Sequence, residues 1–133
     1  MVQRPNAVGL TLCQLVIVEE TTRNVTLASS FQRLKAVSFP SQPFPFFAYT
    51  VLSDGLGDID LTLVVLRCDT LEAIYTRSSK ISFADPLRQL RLYWQLRSCS
   101  FPVPGTYEFG LLADGEPITQ SVLRVMQKGT GSA

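Results

Sequence analysis

Arg91, Tyr93, Gln95 and Arg97 stand at every second position, interleaved with Leu92, Trp94 and Leu96. In an extended strand that spacing sends guanidinium groups, a phenol and an amide to one face and apolar side chains to the other. Guanidinium groups present planar forks to carboxylate or phosphate, and tyrosine supplies contact area at low entropic cost. Such a face suits recognition of an acidic peptide, a phosphate or a sugar, with a plain solvated sheet face as the alternative. A second set, Asp54, Asp58 and Asp60 with Asp114 or Asp85, offers the hard oxygen ligands that calcium takes. Against calcium, Asp54-Gly55 and Asp58 are ordinary turn residues, Asp60 alternates outward on a strand, and the spacing is not that of an EF-hand loop. No metal ligand is assigned.

The chain contains no histidine, which removes Ser-His-Asp and Cys-His catalysis and every histidine-containing zinc or iron site. Carboxylates, Lys, Tyr and Cys are left as acids and bases. Gly55-Leu56-Gly57 is not followed by the Lys-Ser/Thr of a phosphate loop, no paired glutamates suggest a glycosidase, and Lys35, Lys80 and Lys128 carry no nucleophile signature. The expectation is a protein that is not an enzyme, with no catalytic residue and no cofactor. Cys13, Cys68 and Cys99 are odd in number, widely spaced and without a CxxC, so neither a zinc knuckle nor a disulfide framework is indicated. Cys13 lies in the apolar run from Leu12 to Val18 and Cys68 follows Val64-Val65-Leu66. They read as buried, reduced thiols acting as small hydrophobes, consistent with a cytoplasmic setting.

These residues need elements to hold them. The 133 residues are 46% hydrophobic and 17% charged, which fits one compact domain over 1–127 with a loose small-residue tail over 128–133. Such a chain can carry a full core without metal or disulfide staples. Twelve basic against eleven acidic residues give a net charge of +1, too little for a general nucleic-acid binder. No run reaches the length of a membrane span, no signal peptide is read in the first twenty residues, and the sequon at Asn24 is taken as accidental.

Period-two patterning dominates. Phe47, Tyr49 and Val51 alternate in one segment and Ile59, Leu61, Leu63 and Val65 in the next. Ser53 to Asp58 between them predicts a hairpin. Tyr107, Phe109 and Leu111 lead to the turn Ala113-Asp114-Gly115 and a last strand from about Ile118 to Met126. Val8 to Glu19, apolar on both faces, is expected as a central strand. Phe31 to Phe39 reads as a strand with a bulge, and Leu71 to Phe83 as a weaker strand or short helix. Asp85 to Arg97 has a helix-like start, but its alternation favours a strand. The Pro40 to Pro45 stretch is expected to cross over at one end, with a PxxP docking ligand as the other reading. Seven or eight short strands in a chain of this length predict an all-β, single antiparallel β-sandwich.

The string from Phe101 to Ile118, FPVPGTYEFGLLADGEPI, resembles the closing hairpin of immunoglobulin-like and C2-like sandwiches. In particular it resembles a family of bacterial β-sandwich domains with no assigned function. The resemblance implies that Pro104-Gly105 turns the chain into the strand and that Tyr107 occupies a tyrosine-corner position. It also implies that Phe109 fills the core slot of the second immunoglobulin cysteine. There is no cysteine in that slot, and Trp94 directly precedes this strand rather than lying on a much earlier one. The expected function is non-catalytic protein interaction or scaffolding with a protein partner or a second copy. The alternatives are a C2-like calcium- or small-ligand-binding domain and, last, an enzyme of carboxylate or thiol chemistry.

Overall fold

The computed structural model describes residues 2–129, and within them every regular element is a strand. In chain order these are β1 (Asn6–Ala7), β2 (Thr11–Val18), β3 (Val25–Ser30), β4 (Arg33–Ala36) and β5 (Phe46–Ser53). There follow β6 (Gly57–Arg67), β7 (Ala73–Phe83), β8 (Leu90–Leu96), β9 (Gly105–Ala113) and β10 (Glu116–Gln127). One five-stranded sheet has β5 at its centre, with β8 on one edge and β1 and β2 end to end on the other; β3 lies beyond β2. The second runs β4-β10-β9-β6-β7.

Alternation decides which side chains meet. Ile59, Leu61, Leu63 and Val65 on β6, with Tyr107, Phe109 and Leu111 on β9, are all nearly inaccessible to solvent. Phe46, Ala48 and Leu52 on β5, Trp94 and Leu96 on β8, and Leu12 on β2 meet them from the first sheet in one shared core. The Phe46 and Phe109 rings meet edge to face with centroids 6.0 Å apart, joining the two layers. The Trp94 indole donates to Ser79 Oγ at 3.3 Å, so the buried ring finds a polar partner on β7.

Several chain reversals follow from local chemistry. Asp114 and Gly115 both have positive φ, 48° and 84°, as a two-residue hairpin turn requires, and join β9 to β10 as expected. Between β1 and β2, Ala7 pairs with Leu52 and Thr11 with Tyr49, so the β1–β2 side holds one residue more than β5. Gly9, at φ 72°, lies in that bulge, and the buried Thr50 hydroxyl donates to its carbonyl at 2.6 Å. Tyr107 forms the expected corner: its hydroxyl donates to the Val103 carbonyl at 2.6 Å, four residues upstream.

The structure corrects the sequence reading in five places. Ser53 to Asp58 does not close a hairpin; β5 and β6 lie in different sheets, because both edges of β5 are taken by β8 and by β1 and β2. Phe47, Tyr49 and Val51 face away from the core, and Phe46, Ala48, Thr50 and Leu52 fill it. Cys68 is exposed, since β6 ends at Arg67 and the chain turns there, whereas Cys13 and Cys99 are buried. The arrangement is not wholly antiparallel, because β4 runs parallel to β10, and β4 is a short strand that stops at Ala36. Finally, ten strands form among the described residues rather than seven or eight. The segment over 85–97 resolves as a turn capped by Asp85, whose Oδ1 accepts the Leu87 amide at 2.9 Å, and then β8. Of the tail read from residue 128, the Lys128 amide donates to the Ala36 carbonyl, and 130–133 lie outside the described residues.

Candidate recognition groove

The register of β8 with β5 sets Arg91 opposite Val51, Tyr93 opposite Tyr49 and Gln95 opposite Phe47. Since Trp94 and Leu96 are buried, Arg91, Tyr93 and Gln95 occupy the outer face, as their alternation predicts. Tyr93 is 49% exposed and meets Phe47 edge to face at 6.1 Å. β2 leaves β5 after Cys13, and the β2–β3 hairpin curls back until its tip reaches β8. Arg91 Nη1 donates to the Arg23 carbonyl at 2.8 Å. Arg23 has φ 62°, and its amide donates to the Glu19 carbonyl at 2.9 Å within the hairpin turn.

A groove of about 520 Å³ lies between hairpin and strand, lined by Val18, Arg23, Val25, Gln89, Arg91 and Tyr93. Arg91 and Tyr93 are thus brought together in it. Gln95 and Arg97 are engaged elsewhere: Arg97 Nε donates to Gln95 Oε1 at 2.9 Å, and Arg77 Nη1 on β7 donates to the Gln95 carbonyl at 2.7 Å. Arg77 shields the outer edge of β8, the role that charges pointing in from edge strands serve. Among the described residues the one ion pair is Arg67 with Asp69 at 2.8 Å, so Arg23, Arg77, Arg91 and Arg97 have no carboxylate partner. Val18, Arg23, Val25 and Gln89 escaped the sequence reading. The first three sit on a hairpin far away in the chain, and the only local signal was the apolar end of β2.

The aspartates are distributed among turns. Asp114 Oδ1 accepts the Asp60 amide at 2.9 Å, and Asp54 Oδ2 accepts from Asn6 Nδ2 at 3.1 Å. No three His, Cys, Asp or Glu side chains among the described residues converge on a common point. A second groove, of about 400 Å³, runs between β4 and the Ser41 to Phe44 segment; Lys35 is the one charged residue in its lining. No helix among the described residues is long and apolar enough to cross a membrane.

Together these features define an all-β domain of two five-stranded sheets around one core, with one sheet curled against its own hairpin. Residues 9–126 match the family of unknown function DUF6941, and the chain belongs to that family. No match was found among curated proteins.

Proposed function

We propose that this chain is a non-catalytic protein-interaction module, an immunoglobulin-like β-sandwich of the bacterial cytoplasm, whose working surface is the groove at Arg91 and Tyr93. The observation that carries the reading is the pairing of an uncompensated Arg91 guanidinium with a half-exposed Tyr93 ring, opposite the apolar wall of Val18 and Val25. Arginine and tyrosine are the residue types that anchor protein interfaces. An extended acidic peptide suits the groove: its carboxylates would accept from Arg91 and Arg23, and an apolar side chain would rest on Val18 and Val25. The Tyr107 corner supports the immunoglobulin-like class, and three free cysteines are in keeping with a reducing compartment.

The test is fluorescence polarisation with a library of labelled acidic and apolar peptides, using the wild-type chain and the variants Arg91→Glu and Tyr93→Ala. A peptide that binds the wild type and loses roughly tenfold or more in affinity with either variant supports the reading. Binding that ignores both variants, or a library with no binder, overturns it.

A further inference from the structure

The outer face of the second sheet is basic at one corner and acidic at the opposite one. The parallel register sets Arg33 on β4 beside Arg124 on β10, and Lys35 beside Met126. Arg33, Lys35 and Arg124 are exposed and alternate with inward Leu34, Leu123 and Val125. Lys128, held to β4 through its amide, adds a fourth cation at this corner. Like charges side by side destabilise a strand pair, and none of the four cations has a carboxylate partner among the described residues. At the far corner, Asp58 and Asp60 point outward from β6, and Asp114 joins them from the β9–β10 turn. Lys80, opposite Asp60 on β7, offsets one of these charges, and Glu108, opposite Val122, lies on the same face.

Between the corners the face carries apolar Val64 on β6, Leu112 on β9 and Val122 on β10, the last 50% exposed, among the polar side chains of Thr62, Gln120 and Glu108. Gly110 sits at its middle, paired with Val64 on one side and Gln120 on the other. The fold does not need a glycine there. Its φ is not in the left-handed region, and a Cβ added to it would meet nothing within 4 Å. A glycine inside a strand weakens it and is a feature of bulges, tight bends and sites where a ligand or another backbone approaches closely.

The geometry points to a second copy of this chain as the partner of this face. A half-turn about an axis through Gly110, in the plane of the face, lays the Arg33 and Arg124 corner of each copy over the Asp58 and Asp60 corner of the other. The two centres, with Val64, Leu112 and Val122 of each copy, then meet where the missing side chain lets the sheets approach. A closed two-fold pairing of this kind uses one patch twice and leaves no free surface to propagate. Five strands at about 4.8 Å spacing and about 3.3 Å per residue along the strands give a face of roughly 700 Å². A standard interface buries about 800 Å² per partner. The inference does not rest on the Arg91 groove, which lies on the other sheet.

Sedimentation velocity on the full chain tests it. The wild type is expected to run as a dimer at about 50 mM salt and to dissociate progressively toward about 500 mM. Gly110→Lys is expected to weaken the dimer by roughly 100-fold or more. Arg33→Glu/Arg124→Glu and Asp58→Lys/Asp60→Lys should each be monomeric alone, and should form a heterodimer when mixed, because the swapped corners again attract. A wild type that stays monomeric at about 500 µM in low salt overturns the inference. So does a dimer that survives Gly110→Lys, or charge-reversed variants that melt like the wild type yet stay apart when mixed. If a charge-reversed variant does not fold, Gly110→Lys decides. Tyr93→Ala should leave the dimer intact, so failure of the groove reading is separable from failure of this one.

Discussion

The guanidinium of Arg91 and the backbone carbonyl of Arg23, 68 residues apart in sequence, are joined by a 2.8 Å hydrogen bond that closes the curled sheet onto its own hairpin. Arg91→Ala removes this bond, the one side-chain hydrogen bond from β8 to the hairpin tip among the described residues. The bond is exposed, so global stability should fall by no more than about 1 kcal/mol. Amide exchange over 18–25 should quicken several-fold while β6 and β9 keep their protection. Equal loss of protection throughout would mean that the hairpin and the core open as one unit.

Tyr107→Phe keeps the buried ring and leaves the Val103 carbonyl without its donor. The expected loss is about 1–2 kcal/mol by urea unfolding. Phe109→Ala, which empties a fully buried site between the sheets, should cost about 3–5 kcal/mol. Similar costs for the two would contradict the account of the corner as hydroxyl bonds to the Val103 carbonyl and amide on a well-packed ring.

Gly55 and Gly110 make a contrasting pair. A Cβ at Gly55 would lie 2.6 Å from the Phe83 ring, which is nearly buried at the end of β7. Gly55→Ala should therefore destabilise by about 1–3 kcal/mol. Gly110→Ala, with open space around it, should be neutral or stabilising by up to about 1 kcal/mol in the unfolding of the isolated chain. Thermal melts of both variants at low protein concentration decide the point.

Ser41 ties the proline-rich crossover to the segment before β9. Its amide donates to the Phe101 carbonyl, and its Oγ accepts the Phe101 amide, both at 2.9 Å. Ser41→Ala strands the buried Phe101 amide and should cost about 1–3 kcal/mol, whereas Ser41→Thr, which keeps the acceptor, should cost less. Urea midpoints give the comparison directly.

Burial pushes the Cys99 thiol up to about 12, and burial raises the Tyr107 hydroxyl against the opposing effect of its bond to Val103. Both groups are more easily ionised in the unfolded chain, so their stabilisation is fully present below the unfolded values and is lost as pH climbs toward the folded ones. With no histidine to titrate, the melting temperature should change little between about pH 6 and 8 and fall above about pH 9. Cys99→Ala should flatten part of that alkaline fall. Cys68 should be the one thiol that reacts with a maleimide before unfolding, slowly, because partial burial and the charges of Glu108 and Asp69 hold it protonated.

The parts of the fold that could be read from the sequence are those where one face is apolar and the other is not. β6 and β9 announce their buried sides through Ile59 to Val65 and Tyr107 to Leu111, and β8 does so against its own Arg91, Tyr93 and Gln95. β5 carries apolar residues on both faces, so its alternation could not say which face is inner. β3 was not anticipated because Thr26, Ser29 and Ser30 give no strong period, and its existence depends on pairing with β2. The turn at Ser53 to Asp58 signalled a reversal correctly, but a turn does not say whether the strands it joins have free edges facing each other. Of the candidate site, the Arg91 and Tyr93 face was visible locally. The wall contributed by Val18, Arg23 and Val25 and the basic corner made by parallel pairing arise only once distant segments meet.

The parallel contact of β4 with β10 also fixes an order of events. Val37 and Gln127, joined by a side-chain hydrogen bond across this contact, are 90 residues apart. A chain emerging from the ribosome therefore holds Arg33 to Ala36 unmatched until Arg124 to Gln127 appear. The closing strand of the second sheet acts as a late checkpoint: truncation a few residues before Gln127 leaves an early edge uncovered, and pairings across such sequence distances are the slow ones in folding.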